Sequence, residues 1–381
     1  MATGRATWAY RDRFGDSFGR TFYRRFGPGV VSSIGIGTYL GEPTDAVDDR
    51  YRESLVSALE HGVNLVDTAS NYRHGRAERV VGDAVRGADV DRDAVVVASK
   101  AGFVPFDRER PDDPGAYVRE TVLDAGLADP DELAHGSHTI APAFVDEMVD
   151  RSLDLTGLDH VDCYYLHNPE TQLAVTDRET VYDRVEAAFE VLERRVAAAD
   201  IGRYGVATWE ALRVAPDHDA YLSLPELVRR AERAAETVGN DDHSLEAIQL
   251  PFNVVMADAF TVEAHDTDAG EAMSALWYAH EHGLHAFTSA SLAQGDLAAE
   301  IPASVNSVLA GDTAAQRALN FSRSRARRDR GARRRIVGRT RRGERRGRHV
   351  RPPRGADVRF GLRVSSRPRS RTAAFGRLAV I

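Results

Sequence analysis

Two spacings of apolar residues take turns along most of this chain. Short apolar runs read as buried strands: Val63-Asn64-Leu65-Val66 closed by Asp67, Val95 to Ser99 closed by Lys100, and Asp162 to Leu166 closed by His167. Between them apolar residues recur at three and four, as in Asp45 to His61 (Tyr51, Leu55, Ala58, Leu59) and around Val80, Val81, Ala84 and Val85, which predicts helices. Ile34 to Tyr39 predicts a first strand, and Ile201 to Thr208, Ala247 to Asn253 and Leu284 to Ser291 predict the later ones. Thr21 to Ser33, folded around Gly27-Pro28-Gly29, predicts a hairpin. Strands alternating with helices make a parallel sheet, so the expected class is α/β. Seven strands from Ile34 onward predict a (β/α)8 barrel whose eighth strand and following helix are missing or disrupted. A segment at 103–140, rich in Asp, Pro and Gly, is a long insertion after Lys100. Residues 1–20 show no period and are expected to be an N-terminal extension lying on the surface, the barrel to occupy 21–322, and 323–381 to be a separate tail.

Composition sharpens that division. Of 50 basic and 58 acidic residues in the chain, 323–381 holds 22 arginines and only Asp329, Glu344 and Asp357 as acids. Residues 1–322 are left with 28 basic and 55 acidic groups, a net charge of −27 against +19 for the tail. Lys100 is the only lysine of the chain. An acidic, lysine-poor surface suits a cytoplasm at very high salt, where charge repulsion is screened within a few ångströms; a GC-rich genome that favours arginine codons would leave the same mark. No apolar run reaches the length of a membrane span, and the first residues lack the apolar core of a secretory signal, so a soluble cytoplasmic protein is expected. The single cysteine, Cys163, lies inside a strand, which excludes an intramolecular disulfide and favours a packing role over a nucleophilic one.

The chemistry stands at strand ends. Asp67, Lys100 and His167 each close a strand, and Tyr72 follows Asp67 in the next loop, so all four are expected at one mouth of the barrel, where catalytic residues of such barrels sit. A buried lysine or carboxylate is costly unless paired, so Asp67 with Lys100 could merely hold the mouth together. Jointly the four residues describe more. Reducing a carbonyl by hydride transfer needs a proton for the forming alkoxide, and a tyrosine can supply it where a neighbouring ammonium stabilises its anion. Asp67 would keep Lys100 charged and placed, and His167 could hydrogen-bond and orient the carbonyl. His135 and His138 lack a third ligand at a recognised spacing, so no metal is expected. Tyr164-Tyr165 and Trp277-Tyr278 are expected as core or pocket wall.

With these residues in view, the chain resembles the aldo-keto reductases. The motif around the tyrosine looks like Asp67-Thr-Ala-Ser-Asn-Tyr72 with Gly75 and Glu78; the family's lysine matches Lys100, and its histidine matches His167 in Tyr164-Tyr-Leu-His-Asn-Pro169. The resemblance, from about Thr21 to Ser322, implies a (β/α)8 barrel, NADP(H) or NAD(H) as hydride carrier, and a small-molecule carbonyl or alcohol as substrate. It implies an NAD(P)H-dependent carbonyl reductase or alcohol dehydrogenase with catalytic Asp67, Tyr72, Lys100 and His167. For the cofactor it implies Gln249 and Asn253 in Ile248 to Asn253, Thr208 after Gly205-Val-Ala, and Ser289, Leu292, Gln294 and Gly295 in the loop over the pyrophosphate. Ala207 and Thr208 replace residues that usually hydrogen-bond the cofactor, and Ser289 stands where many members keep an aromatic. The family does not use the Rossmann mode, so a missing glycine fingerprint is no objection.

The resemblance stops at about Arg323. In place of an eighth strand of small and apolar residues comes the arginine-rich stretch 325–334. Synonymous codons for that stretch, read one base on, give Ala-Pro-Gly-Val-Thr-Ala-Ala-Leu-Val-Gly, which suits an eighth strand, so the tail looks frameshifted. The tail would then be aberrant or disordered, and the chain a non-catalytic product in the alternative reading. A genuine basic tail binding nucleic acid or acidic partners, or a fused segment, are the other readings, with nucleic acid the less expected partner.

Overall fold

The computed structural model describes residues 1–267, 270–323 and 378–380. An antiparallel hairpin comes first: β1 (Tyr23–Phe26) and β2 (Gly29–Ser32), paired from Tyr23↔Ser32 to Phe26↔Gly29. It turns at Gly27, whose φ of +51° suits a residue without a Cβ. The parallel strands follow as β3 (Ile36–Gly37), β4 (Leu65–Asp67), β5 (Val96–Ala101), β6 (Cys163–His167), β7 (Tyr204–Ala207) and β8 (Leu245–Pro251). A small antiparallel pair, β9 (His265–Asp266) with β10 (Ala272–Met273), precedes β11 (His285–Ser289), and β12 (Leu378–Val380) is last. Excepting the two antiparallel pairs, the strands form one sheet in the order β3-β4-β5-β6-β7-β8-β11-β12.

Period-two alternation along these strands divides the core. Leu65, Val96, Ala98, Cys163, Tyr165, Ala207, Ala247 and Phe287 face inward and pack together with Phe26 and Val31 of the hairpin. Their neighbours Val66, Val95 and Val97 face outward and pack against Leu55 and Leu59 of helix Asp45–Glu60 and Val80, Val81, Ala84 and Val85 of helix Arg76–Gly87. Phe26 lies 4.8 Å from the ring of His285 and 5.5 Å from that of Phe287, so the hairpin plugs the end at which the strands begin. The other end stays open to carry polar side chains. By the same alternation Asp67, Lys100, His167 and Gln249 continue the inward-facing rows of their strands beyond the apolar layers.

Several expectations meet a different outcome in detail. Residues 1–20 contain helix Gly4–Arg13, started by Thr3, whose side chain accepts from the Ala6 amide. The helix has little apolar stripe to reveal it, yet Tyr10 is buried and donates its hydroxyl to the carbonyl of Leu59. β3 is shorter than the run Ile34 to Tyr39: the chain bends at Ser33, and the Ile34 carbonyl accepts from Ser32 Oγ at 2.7 Å. The insertion carries the short helical pieces Pro114–Val118, Arg119–Leu123 and Pro130–Glu132 and returns to the barrel at His138.

Among the described residues the eighth place of the sheet is held by three. β12 runs parallel to β11 in the register Ala286↔Leu378, Phe287↔Ala379 and Thr288↔Val380, and among the described residues it does not pair with β3. The remainder of the arginine-rich tail, and so the reading of it as disordered, lies outside the described residues. Helix Ala314–Arg323 closes this side, stacking Phe321 on Phe252 at 5.4 Å and donating Ser322 Oγ to the Phe252 carbonyl at 2.9 Å. Among the described residues no helix is long and apolar enough to cross a membrane.

Candidate active site

β4 and β5 run side by side in the register Leu65↔Val96, Val66↔Val97 and Asp67↔Ala98, which sets Asp67 against Lys100 across the strands' inner face. The pairing continues past the strand through Thr68 N to Ala98 O and Ser70 N to Lys100 O. Lys100 is fully buried, and its ammonium donates to Asp67 Oδ2 at 2.7 Å and to the Thr68 carbonyl at 2.7 Å. The other oxygen of Asp67 accepts from Gln249 Nε2 at 2.8 Å. Both carboxylate oxygens are therefore engaged, as a buried charge requires. Burial pulls the Lys100 ammonium down, but Asp67 and then Tyr72 outweigh it and hold the group above its ordinary value. It stays charged.

Tyr72 owes its place to an unusual loop. Arg73 and His74 both take left-handed backbone (φ 48° and 59°), followed by Gly75 at φ 75°, and only the last is a glycine. Non-glycine residues held there store strain of about 1 kcal/mol or more each, so something must hold them. Arg73 does so: its guanidinium is buried, donates to Asp48 Oδ1 at 2.5 Å and lies 4.6 Å over the Tyr51 ring. Anchored from behind, the loop turns Tyr72 toward Lys100, whose ammonium is 4.9 Å from the ring centroid. Burial pushes the phenol's pKa up, and the charge of Lys100 is the largest influence in the opposite direction.

His167 ends β6 and also meets Tyr72, ring to ring at 5.9 Å and near perpendicular. Burial first, then Lys100 and His138, press its imidazole well below the usual range, so it is neutral at physiological pH. Its Nδ1 has no hydrogen-bond partner among the described residues. Tyr39, 5.0 Å from Tyr72, and Trp209 are exposed aromatics on the same mouth. A neutral imidazole, a phenol and an ammonium thus converge on a partly apolar opening. The arrangement can orient a carbonyl and pass it a proton.

The residues expected to meet the cofactor sit on β7, β8 and β11 and the loops that follow. Thr208, just past β7, is buried with its hydroxyl unpartnered among the described residues. Gln249 gives one amide hydrogen to Asp67, a bond that spans 182 positions of sequence and carries no local signal. Asn253 holds the loop after β8 in shape: its Oδ1 accepts from Val255 and Met256 amides, both at 2.9 Å, and its Nδ2 donates to Ala290 O at 2.8 Å. Ser289 ends β11 half-buried, and Gln294 (φ 56°) and Gly295 (φ 109°) form the turn that opens Asp296–Ala299. Leu292 packs with Val254 and Leu297 beneath that turn. Cys163 is buried in the barrel, and burial pushes its thiol up to about 12. Glu78 is buried behind β5 and accepts from Ser99 Oγ at 2.6 Å.

Residues 33–220 match the sequence model described as the Aldo/keto reductase family. An aldo-keto reductase of Fusarium vanettenii is 26% identical over 197 residues, 51% of each chain. The NADH-specific methylglyoxal reductase of Escherichia coli is 30% identical over 143 residues, 36% of this chain and 38% of that protein. The chain spans about half the length, or less, of the curated relatives it matches. Among solved structures, an aldo-keto reductase of Bacillus halodurans in its holo form superposes with a TM-score of 0.50 at 20% identity, covering 79% of this chain and 81% of that one. That likeness concerns the fold.

Proposed function

We propose, from the premise that this chain belongs to the aldo/keto reductase family through residues 33–220, that it is an NAD(P)H-dependent carbonyl reductase or alcohol dehydrogenase with Tyr72 as the proton donor. One observation carries the reading: the Lys100 ammonium, fixed by Asp67 at 2.7 Å, stands 4.9 Å from the centroid of the Tyr72 ring, and the His167 ring meets the same tyrosine at 5.9 Å. NADP(H) or NAD(H), held along β7, β8 and β11, would supply the hydride. The unpartnered Thr208 hydroxyl and the free part of the Gln249 amide suit a polar ring carboxamide there. Ser289, Leu292, Gln294 and Gly295 would lie over the pyrophosphate, and Asn253 would keep that loop in shape.

The chain's own residues do the rest. His167, neutral, donates a hydrogen bond to the substrate carbonyl and turns it toward Tyr72. As negative charge gathers on the carbonyl oxygen, Tyr72 releases its proton, and Lys100 stabilises the phenolate left behind. Asp67 keeps Lys100 charged and in place. Tyr39 and Trp209 favour an apolar or flat small substrate at the mouth. The acidic body suits work in a cytoplasm of molar salt.

The test is the NADPH absorbance of the full chain in molar KCl with small aldehydes, methylglyoxal among them. Tyr72→Phe should lower carbonyl reduction by roughly three or more orders of magnitude and leave cofactor affinity nearly unchanged. A Phe variant as fast as the unaltered chain sinks the assignment. No turnover by the unaltered chain would favour the alternative of a non-catalytic product with a frameshifted tail.

A further inference from the structure

His138 lies outside the four-residue site, yet a hydrogen-bond chain ties it to His167. Arg184 Nη1 donates to Gln172 Oε1 at 2.7 Å, and an arginine can only donate, so the Gln172 amide nitrogen must face the other way. That nitrogen stands 3.0 Å from His138 Nδ1 and 3.0 Å from the His138 carbonyl. With both its hydrogens given, Nδ1 of His138 must accept. The proton is then on Nε2, which lies 2.9 Å from the His167 carbonyl, a group that can only accept. Arg184 thereby fixes a single tautomer two residues away. His138 is fully buried, and burial pushes its pKa down to about 4, so the neutral ring persists at ordinary pH.

A second contact reaches the same place. The Phe103 ring packs edge-on against His138 at 4.8 Å and against the His167 ring at 5.2 Å. Gly102 leaves room for both contacts: a Cβ there would lie 2.4 Å from the His167 carbonyl oxygen and 3.1 Å from His138 Nε2. We propose that His138, as the Nε2–H tautomer set by Arg184 and Gln172, is the positioning residue for His167, holding its backbone through the carbonyl and its ring through Phe103. The 103–140 insertion is then the arm that brings His138 to the end of β6. The proposal rests on the reading of His167 as the group that orients the carbonyl.

The experiment uses the full chain, labelled with ¹⁵N-histidine, in molar KCl. Long-range ¹H–¹⁵N correlation should show one histidine, absent from His138→Gln, locked with its proton on Nε2. Gln172→Glu, which turns an acceptor toward Nδ1, should move a proton onto that nitrogen. An Nδ1–H form or averaged tautomers at His138 in the unaltered chain overturn the proposal. His138→Leu should shift the His167 ring signals and lower kcat about tenfold or more, with NADPH affinity unchanged. His138→Gln, which keeps a donor of similar reach, should recover most of the loss. Unmoved His167 signals in His138→Leu, or equal losses in the Leu and Gln variants, refute positioning through the hydrogen bond. Where the locked tautomer is found but neither His138→Leu nor Tyr72→Phe changes turnover, the failure belongs to the proposed function.

Discussion

Replacing Lys100 by methionine removes one charge from the most deeply buried ion pair of the site while keeping the side chain's length and volume. Lys100 has no exposed surface, and the side chain of Asp67 keeps only 5% of its own. The variant leaves the Asp67 carboxylate with the Gln249 amide as its single partner and the Thr68 carbonyl without its donor. Breaking a buried pair on one side costs about 3–5 kcal/mol, and the retained Gln249 bond argues for the lower part of that range. The lost bond to Thr68 adds about 1 kcal/mol, so Lys100→Met should lose ~4 kcal/mol, a factor of about a thousand in the folding equilibrium. Urea unfolding in molar KCl measures it without adding a denaturing salt. The same measurement on Asp67→Leu/Lys100→Met should return to within about 1–2 kcal/mol of the unaltered chain, because neither charge is then buried alone. Lys100 is held above its usual 10.5, so its contribution is complete below that pH and fades as pH rises through the folded-state value. The deficit of Lys100→Met should therefore narrow only in strong alkali. A single variant within about 1 kcal/mol of the unaltered chain, or a double variant no more stable than the single, would refute the reasoning.

The body's net charge of −27 over residues 1–322 should make thermal stability rise as KCl is raised toward molar levels; equal or lower stability in salt removes the halophile reading. The His138 pKa, lowered by burial from 6.5 to about 4, gives stability that is complete above pH 6.5 and lost as pH falls toward 4. That loss amounts to ~3 kcal/mol; His167, also held low by burial, adds a loss of the same sign, so His138→Gln should make the fall in stability over this window shallower by about that amount, as urea midpoints at pH 7 and 4.5 would show. Calorimetry should find weak NADPH binding by the chain as it stands, and replacing 325–381 with the frame-shifted translation should strengthen it; tight binding by the unaltered chain would make the tail functional.

How far the sequence can be read depends on how local each cause is. Asp67, Lys100 and His167 were legible because each ends an apolar run, and period two then puts all three on the barrel's inner face. Gln249 was marked only by the family resemblance of Ile248 to Asn253, and not as the partner of Asp67, since that bond depends on β4 and β8 sharing one barrel interior. The His135-Gly-Ser-His138 pair drew attention as a weak metal motif. Its partners Gln172 and Arg184 stand on other elements with nothing local to mark them. Arg73 reads as an ordinary loop cation, and only the left-handed backbone at 73–75 shows it restraining the Tyr72 loop. The β9–β10 pair went unread because two-residue strands show no alternation.

Among the described residues, the thin edge of the sheet and the side chains at its mouth lie in different places. Asp67, Tyr72, Lys100, His167 and Gln249 belong to β4, β5, β6 and β8 and the loop after β4. Those strands take their neighbours from the continuous order β3 to β11, so this cluster is assembled without β12. The loop from Ser289 to Gly295 follows β11, whose outer neighbour is three residues long and has no described partner beyond it. Helix Ala314–Arg323 supports this edge by bonding Phe252 through Ser322 and by placing Arg323 Nε 2.8 Å from Ser33 Oγ, but it offers no strand to pair with β3. Unpaired strand edges open more readily than paired ones. Among the described residues the weakest edge of the sheet therefore lies beside the loop proposed to grip the cofactor, while the buried pair of Asp67 and Lys100 keeps the tyrosine's environment intact.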